Sequence, residues 1–158
     1  MILPAISSVK QKGLSLIELL VVIGIIILLG AATFPMYANI QVSSQLNESS
    51  AQAIQALRTA REQSTARVNN MPHGVCFQNK SFVLYQGYSY VLRDNAYDRK
   101  IDLGEALSFS LPGGVAEYDI NFSRGLGIPN IGGIIVLTHN VFGSRQVVVN
   151  NLGMAEEN

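Results

Sequence analysis

The residue best placed to take part in chemistry is Glu18, the one ionisable side chain in residues 14–34. A carboxylate at membrane depth costs about 2.5 to 3.5 kcal/mol unless it finds a partner. The chain supplies a route to one. Lys10, Gln11, Lys12 and Gly13 stand directly ahead of Leu14. Cleavage after Gly13 would leave a cationic amine on Leu14, four residues before the acid. This is chemistry done to the chain and not by it. The plainer alternative is a Glu18 that stays hydrated at the membrane interface.

Groups suited to catalysis or metal binding are few. His73 and His139 are the only histidines. His73 flanks Pro72, His139 opens a turn, and neither sits in a nucleophile or metal-ligand sequence. Cys76 is the sole cysteine, so no intramolecular disulfide can form, and it reads as a small buried strand residue. Residues 93–105 are acid-rich enough to suggest calcium. The spacing after Asp94 does not fit an EF-hand loop, and Arg99 and Lys100 offset the charge. A solvated turn is the expectation there. The stretch 125–133, with Pro129 and Asn130 inside it, reads as a mobile loop between strands and not as a phosphate loop. No enzyme activity, metal or cofactor is expected.

The elements that must position Glu18 are strongly patterned. Residues 14–34 form an apolar run about 30 Å long as a helix, enough to span a bilayer core. Lys10 and Lys12 precede it and no cation follows until Arg58, which places the N-terminus in the cytoplasm and exports the rest. Ordinary signal-peptide cleavage near Gly30, Ala31, Ala32 and Thr33 is the competing reading, but the run is too long and carries an acid. Pro35 removes a backbone donor and should bend the helix, the alternative being a stop. Beyond it Ile40, Val42, Leu46, Ala53, Ile54, Leu57, Ala60, Val68 and Met71 recur at helical spacing, up to a stop near Asn70 and Pro72. One helix over 14–70 would be about 85 Å long. Its first half must be covered by lipid or by other chains, and its second half needs a sheet.

After Pro72 short branched and aromatic runs predict strands at 75–77, 81–85, 88–93, 107–111, 118–122, 133–137 and 145–149. Gln78, Asn79 and Lys80 predict the first hairpin turn. The whole length, 158 residues, suits one modest domain plus one long element. Lys plus Arg and Asp plus Glu both total 11, so no global basic field draws the protein onto nucleic acid.

The run from Lys10 to Glu18 resembles the prepilin peptidase site of type IV pilins and type II secretion pseudopilins. That resemblance implies cleavage after Gly13 by prepilin peptidase and N-methylation of Leu14, where the family usually has Phe. It also implies that Glu18 pairs with the N-terminal amine of a neighbouring subunit and draws new subunits into register. Pro35 falls where pilins commonly carry a helix-bending proline. Segments 93–105, 120–125 and 145–153 resemble the C-terminal half of GspH/FimT-type minor pseudopilins. The implied fold is α+β and type IV pilin-like: a long N-terminal helix, transmembrane then amphipathic, packed against small antiparallel sheets. The implied organisation is a leader at 1–13, a transmembrane and polymerisation helix at 14–35, an exported amphipathic helix at 36–71 and a β-rich domain at 72–158.

The function so implied is a minor subunit in the tip or initiation complex of a type IV pilus or type II secretion pseudopilus. Its partners would be prepilin peptidase, other pilins or pseudopilins, the inner-membrane assembly platform and, before assembly, lipid. It would cross the bacterial inner membrane once, with the C-terminal domain in the periplasm. A major shaft subunit is one alternative, though many of those close a loop with a disulfide. A DNA-binding minor pilin for natural transformation is another. DNA-binding members end in Gly-Arg-x-Arg, and here Gly153, Met154, Ala155 and Glu156 occupy that place, so DNA binding is disfavoured. Arg124 and Arg145 alone read as solvated or cross-strand paired side chains. An ordinary single-pass protein with a periplasmic binding domain would show no cleavage after Gly13.

Overall fold

The computed structural model describes residues 15–141 and 143–158, without the side chains of 32–36 and 38. Gly13, Leu14 and the expected leader lie outside the described residues. The chain divides into two compact units, with the division between Asn39 and Ile40. Helix α1, Leu16–Thr65, runs through Pro35 without interruption, so this proline is not a helix stop.

The second half of α1 shows why it is a helix. Val42, Leu46, Ser50, Ala53, Leu57, Ala60 and Ser64 are all buried and recur every three or four residues. That spacing draws a single stripe down one face. Ala53 and Ala60 carry almost no side chain, so the helix can lie close to what covers it. Ile40, expected on the stripe, is 57% exposed.

The helix ends at Thr65, earlier than the Asn70 and Pro72 signals predict. Arg67 adopts left-handed φ and ψ of 56° and 39°, followed by a single 3-10 turn at Val68–Asn70. The cause is tertiary. The Ser64 carbonyl accepts the Gly125 amide at 2.8 Å from a distant loop and, from its own chain, the Arg67 amide at 3.2 Å, one residue short of the helical pattern. Val68 and Met71, read from sequence as helix-stripe residues, therefore fall beyond the helix and are partly exposed.

Eight strands follow: β1 His73–Gln78, β2 Ser81–Gly87, β3 Arg93–Asp102, β4 Leu107–Ser110, β5 Glu117–Phe122, β6 Gly133–His139, β7 Ser144–Val149 and β8 Ala155–Glu157. They form two antiparallel four-stranded sheets, ordered β3-β2-β1-β5 and β4-β6-β7-β8. The first hairpin turns at Asn79 and Lys80, with Gln78 opposite Ser81, as predicted. One core joins the helix stripe to inward residues of both sheets, among them Val75, Phe77, Leu84, Ile120, Ile135 and Val147. Phe109 seals the two sheets together, edge-on to Phe77 at 5.3 Å and to Phe82 at 6.0 Å between ring centroids.

Two sequence expectations fail here. Residues 93–105 are not a solvated turn: most of them form β3, paired with β2 through registers such as Leu84 opposite Arg99. Of the predicted strand at 88–93, residues 88–92 are instead the loop that leads into β3. Asp, Asn and Lys are poor strand formers, but pairing along a well-buried β2 outweighs that preference. As an edge strand, β3 also gains from its charges, which discourage pairing with other chains. Strand β8 was not anticipated at all.

Candidate functional site

Glu18 is exposed in the first turn of α1, where the unsatisfied helix amides favour a negative charge. Among the described residues it has no ion-pair partner. Around it the apolar side chains from Leu16 to Leu29 are 47% to 81% exposed on every side of the helix. A helix apolar all round needs cover on all sides. Among the described residues no helix is long and apolar enough to cross a membrane. The span expected at 14–34 includes Leu14 and the side chains of 32–34, which are not described. The structure thus places Glu18 and Pro35 on one continuous helix.

The remaining candidates become structural groups. Cys76 is fully buried on the outer face of the first sheet, against Val83 and Tyr85, and burial pushes its thiol pKa up to about 12. Such a thiol is inert. His73 opens β1 with only 4% of its surface exposed. Burial lowers its pKa below the ordinary value, so it is neutral near pH 7. Its Nδ1 is buried without a hydrogen-bond partner among the described residues. The Ser64 hydroxyl accepts the His73 amide at 2.8 Å and donates to the His73 carbonyl at 3.3 Å, which pins β1 to the end of α1. His139 Nδ1 accepts the Val141 amide at 3.2 Å and closes a turn. Among the described residues no cluster of three or more potential metal ligands occurs.

A polar network that sequence reading missed covers the outer face of the first sheet. The Tyr85 hydroxyl donates to Asp119 at 2.6 Å, and the Tyr90 amide donates to the other oxygen of the same carboxylate at 3.0 Å. Arg93 stacks its guanidinium 3.8 Å above the Tyr90 ring while pairing with Asp98 at 2.8 Å. Burial and the adjoining Asp119 carboxylate raise the Tyr85 pKa, so the hydroxyl keeps its proton. These bonds fold the β2–β3 loop down as a lid over Cys76 and Val83. Nothing in the spacing of Tyr85, Tyr90 and Asp119 announces this, because strand pairing alone brings them together.

The C-terminal tail is also built in. Ala155 is buried, its carbonyl accepts Arg58 at 3.1 Å, and Glu157 takes bonds from Ser50 and Arg145, each at 3.0 Å. Arg145, read from sequence as solvated or cross-strand paired, is paired. Arg124 donates to the carbonyl and side chain of Asn70.

The profile of the prokaryotic N-terminal methylation motif matches residues 8–34. No curated protein matches the chain by sequence. Two crystal forms of the type IV minor pilin FimU of Pseudomonas aeruginosa strain PAO1 are similar in structure. One aligns with a TM-score of 0.53 at 15% identity, covering 78% of this chain and 92% of that one. The other aligns with a TM-score of 0.52 at 16% identity, covering 73% and 91%. Helix, sheets and motif taken together, this chain carries the prokaryotic N-terminal methylation motif on a type IV pilin-like fold.

Proposed function

We propose that the protein is a minor pilin or pseudopilin, cut by prepilin peptidase after Gly13 and N-methylated on Leu14. In this reading it joins the tip or initiation complex of a type IV pilus or type II secretion pseudopilus. The observation that carries it is the methylation motif at residues 8–34 on a chain of pilin-like fold. The exposed apolar half of α1 supports it. Lipid covers that surface before assembly, with the sheets in the periplasm, and other pilins cover it afterwards. Glu18, otherwise costly at that depth, is neutralised by the Leu14 amine of a neighbour. Pro35 supplies the bend between the membrane and periplasmic parts of the helix.

Mass spectrometry of the N-terminal peptide, with and without prepilin peptidase, tests the first step. A peptidase-dependent N-methyl-Leu14 is the expected start; a chain that begins at Met1 or near Ala32 would sink the reading. For the second step, Glu18→Ala should leave a processed subunit in the membrane that no longer enters sheared filaments. Normal incorporation of that variant would remove Glu18 from assembly.

A further inference from the structure

Four arginines gather around the C-terminal end of α1: Arg58 and Arg61 on the helix, Arg67 just beyond it and Arg124 on the facing loop. Among the described residues none of them has a carboxylate within 4.0 Å. Instead neutral groups hold three of them. Arg61 donates to the Gly127 carbonyl at 3.3 Å, Arg58 to the Ala155 carbonyl, and Arg124 to Asn70. The loop opposite is shaped around them. Gly127 and Gly153 have positive φ, and a Cβ on either would stand 3.0 to 3.1 Å from the Arg61 side chain. A Cβ on Gly125 would stand 3.1 Å from Arg67. Thr65 Oγ1, at 2.5 Å, bars a Cβ at Gly127 more firmly still, and the Gly127 carbonyl, at 2.7 Å, does so at Gly153. Between Gly125 and Gly127 the loop projects Leu126, 72% exposed, and Met154, 46% exposed, lines a cleft with Arg58 and Arg61.

We propose that this surface, with Leu126 as its apolar knob, docks a neighbouring pilin-like subunit that presents carboxylates around an apolar socket. The proposal rests on the filament-subunit reading above. Held arginines have already lost much of their rotamer freedom, so binding sacrifices less entropy there. Arginine, methionine and exposed leucine together are the make-up of a protein interface core. A nucleic acid fits less well. Glu62 and Glu156 line the same clefts as Arg61, so the positive charge is broken into separate guanidiniums, which suit single carboxylates better than a continuous polyanion. Acidic side chains stand on another face of this very fold: Glu48, Asp102 and Glu105 line one cleft, with Asp102 paired to Lys100 at 2.8 Å and Leu107 buried beneath. Glu48 precedes Arg61 by 13 residues of α1, about 20 Å along the axis. Unlike faces displaced along one axis make a heterologous contact, the kind that builds filaments and not closed pairs.

The test uses the full chain in its native membrane, with the photo-crosslinking residue benzoylphenylalanine at Leu126. The expected adduct joins an acidic segment of a subunit that itself begins with an N-methylated residue. Arg61→Glu should lower its yield about tenfold, the loss of one interface anchor, with cleavage before Leu14 unchanged. Arg124→Glu, whose side chain reaches only Asn70, repeats the test should Arg61→Glu fail to fold. An adduct confined to lipid, no adduct from a correctly processed chain, or an adduct indifferent to both reversals would overturn the proposal. So would tight binding of a labelled DNA duplex by the detergent-purified chain that either reversal abolishes. A chain never cut before Leu14 would instead overturn the filament reading beneath it.

Discussion

Burial decides what individual side chains do here. His73 is the clearest case, since the folded protein holds it neutral while the unfolded chain titrates near the ordinary value of 6.5. Below that pH the unfolded state binds the extra proton and the folded state resists it, so stability is complete above about 6.5 and falls as pH drops toward the lowered folded value. Urea unfolding of wild type and His73→Gln between pH 7.5 and pH 5 should show the steeper loss in wild type; equal slopes would mean that His73 protonates freely. Asp119 has a comparable leverage through hydrogen bonds. Asp119→Ala strips the acceptor from the Tyr85 hydroxyl and the Tyr90 amide. A cost of about 1 to 3 kcal/mol is expected, with faster hydrogen exchange at the Tyr90 amide; unchanged exchange would show that the loop closes without it.

Among the elements, the second half of α1 does the most. Its stripe is covered by both sheets, and Leu57, fully buried, sits near the middle of that contact. Leu57→Ala should lower unfolding free energy by about 2 to 5 kcal/mol, the range for a buried leucine that leaves a cavity. A loss below 1 kcal/mol, on the order of a surface change, would mean the helix is loosely packed. The sheets divide the remaining work. β1 and β2 are buried on both faces because the core takes one and the Tyr90 loop the other, whereas β5 and β7 alternate. Strand β3 closes the first sheet with a charged edge.

At the scale of the molecule, the last residues hold β7 and α1 together. Ala155 is buried, and Glu157 reaches both Ser50 and Arg145. Deleting residues 155–158 should therefore lower the thermal midpoint and bare the edge of β7, with self-association visible by sedimentation of the detergent-purified chain. A monomeric variant with an unchanged midpoint would make the tail an ornament of the fold. Met154 and Glu156, which stand where Gly-Arg-x-Arg would place its arginines, are exposed on either side of the buried Ala155.

The sequence by itself determined the features that depend on near neighbours. The apolar run, the stripe from Val42 to Ala60, the Asn79–Lys80 hairpin and the acid at Glu18 are all local patterns, because a helix or hairpin is built from residues a few positions apart. Tertiary structure decided the rest. A loop amide at Gly125 ended α1 at Thr65, pairing with β2 turned the polar stretch 93–102 into a strand, and β7 recruited residues 155–157 as β8. Strand pairing likewise joined Tyr85, Tyr90 and Asp119, and packing of distant loops on α1 gathered its arginines with Leu126. Each of these rests on hydrogen bonds or contacts between residues far apart in the chain, for which periodicity holds no signal.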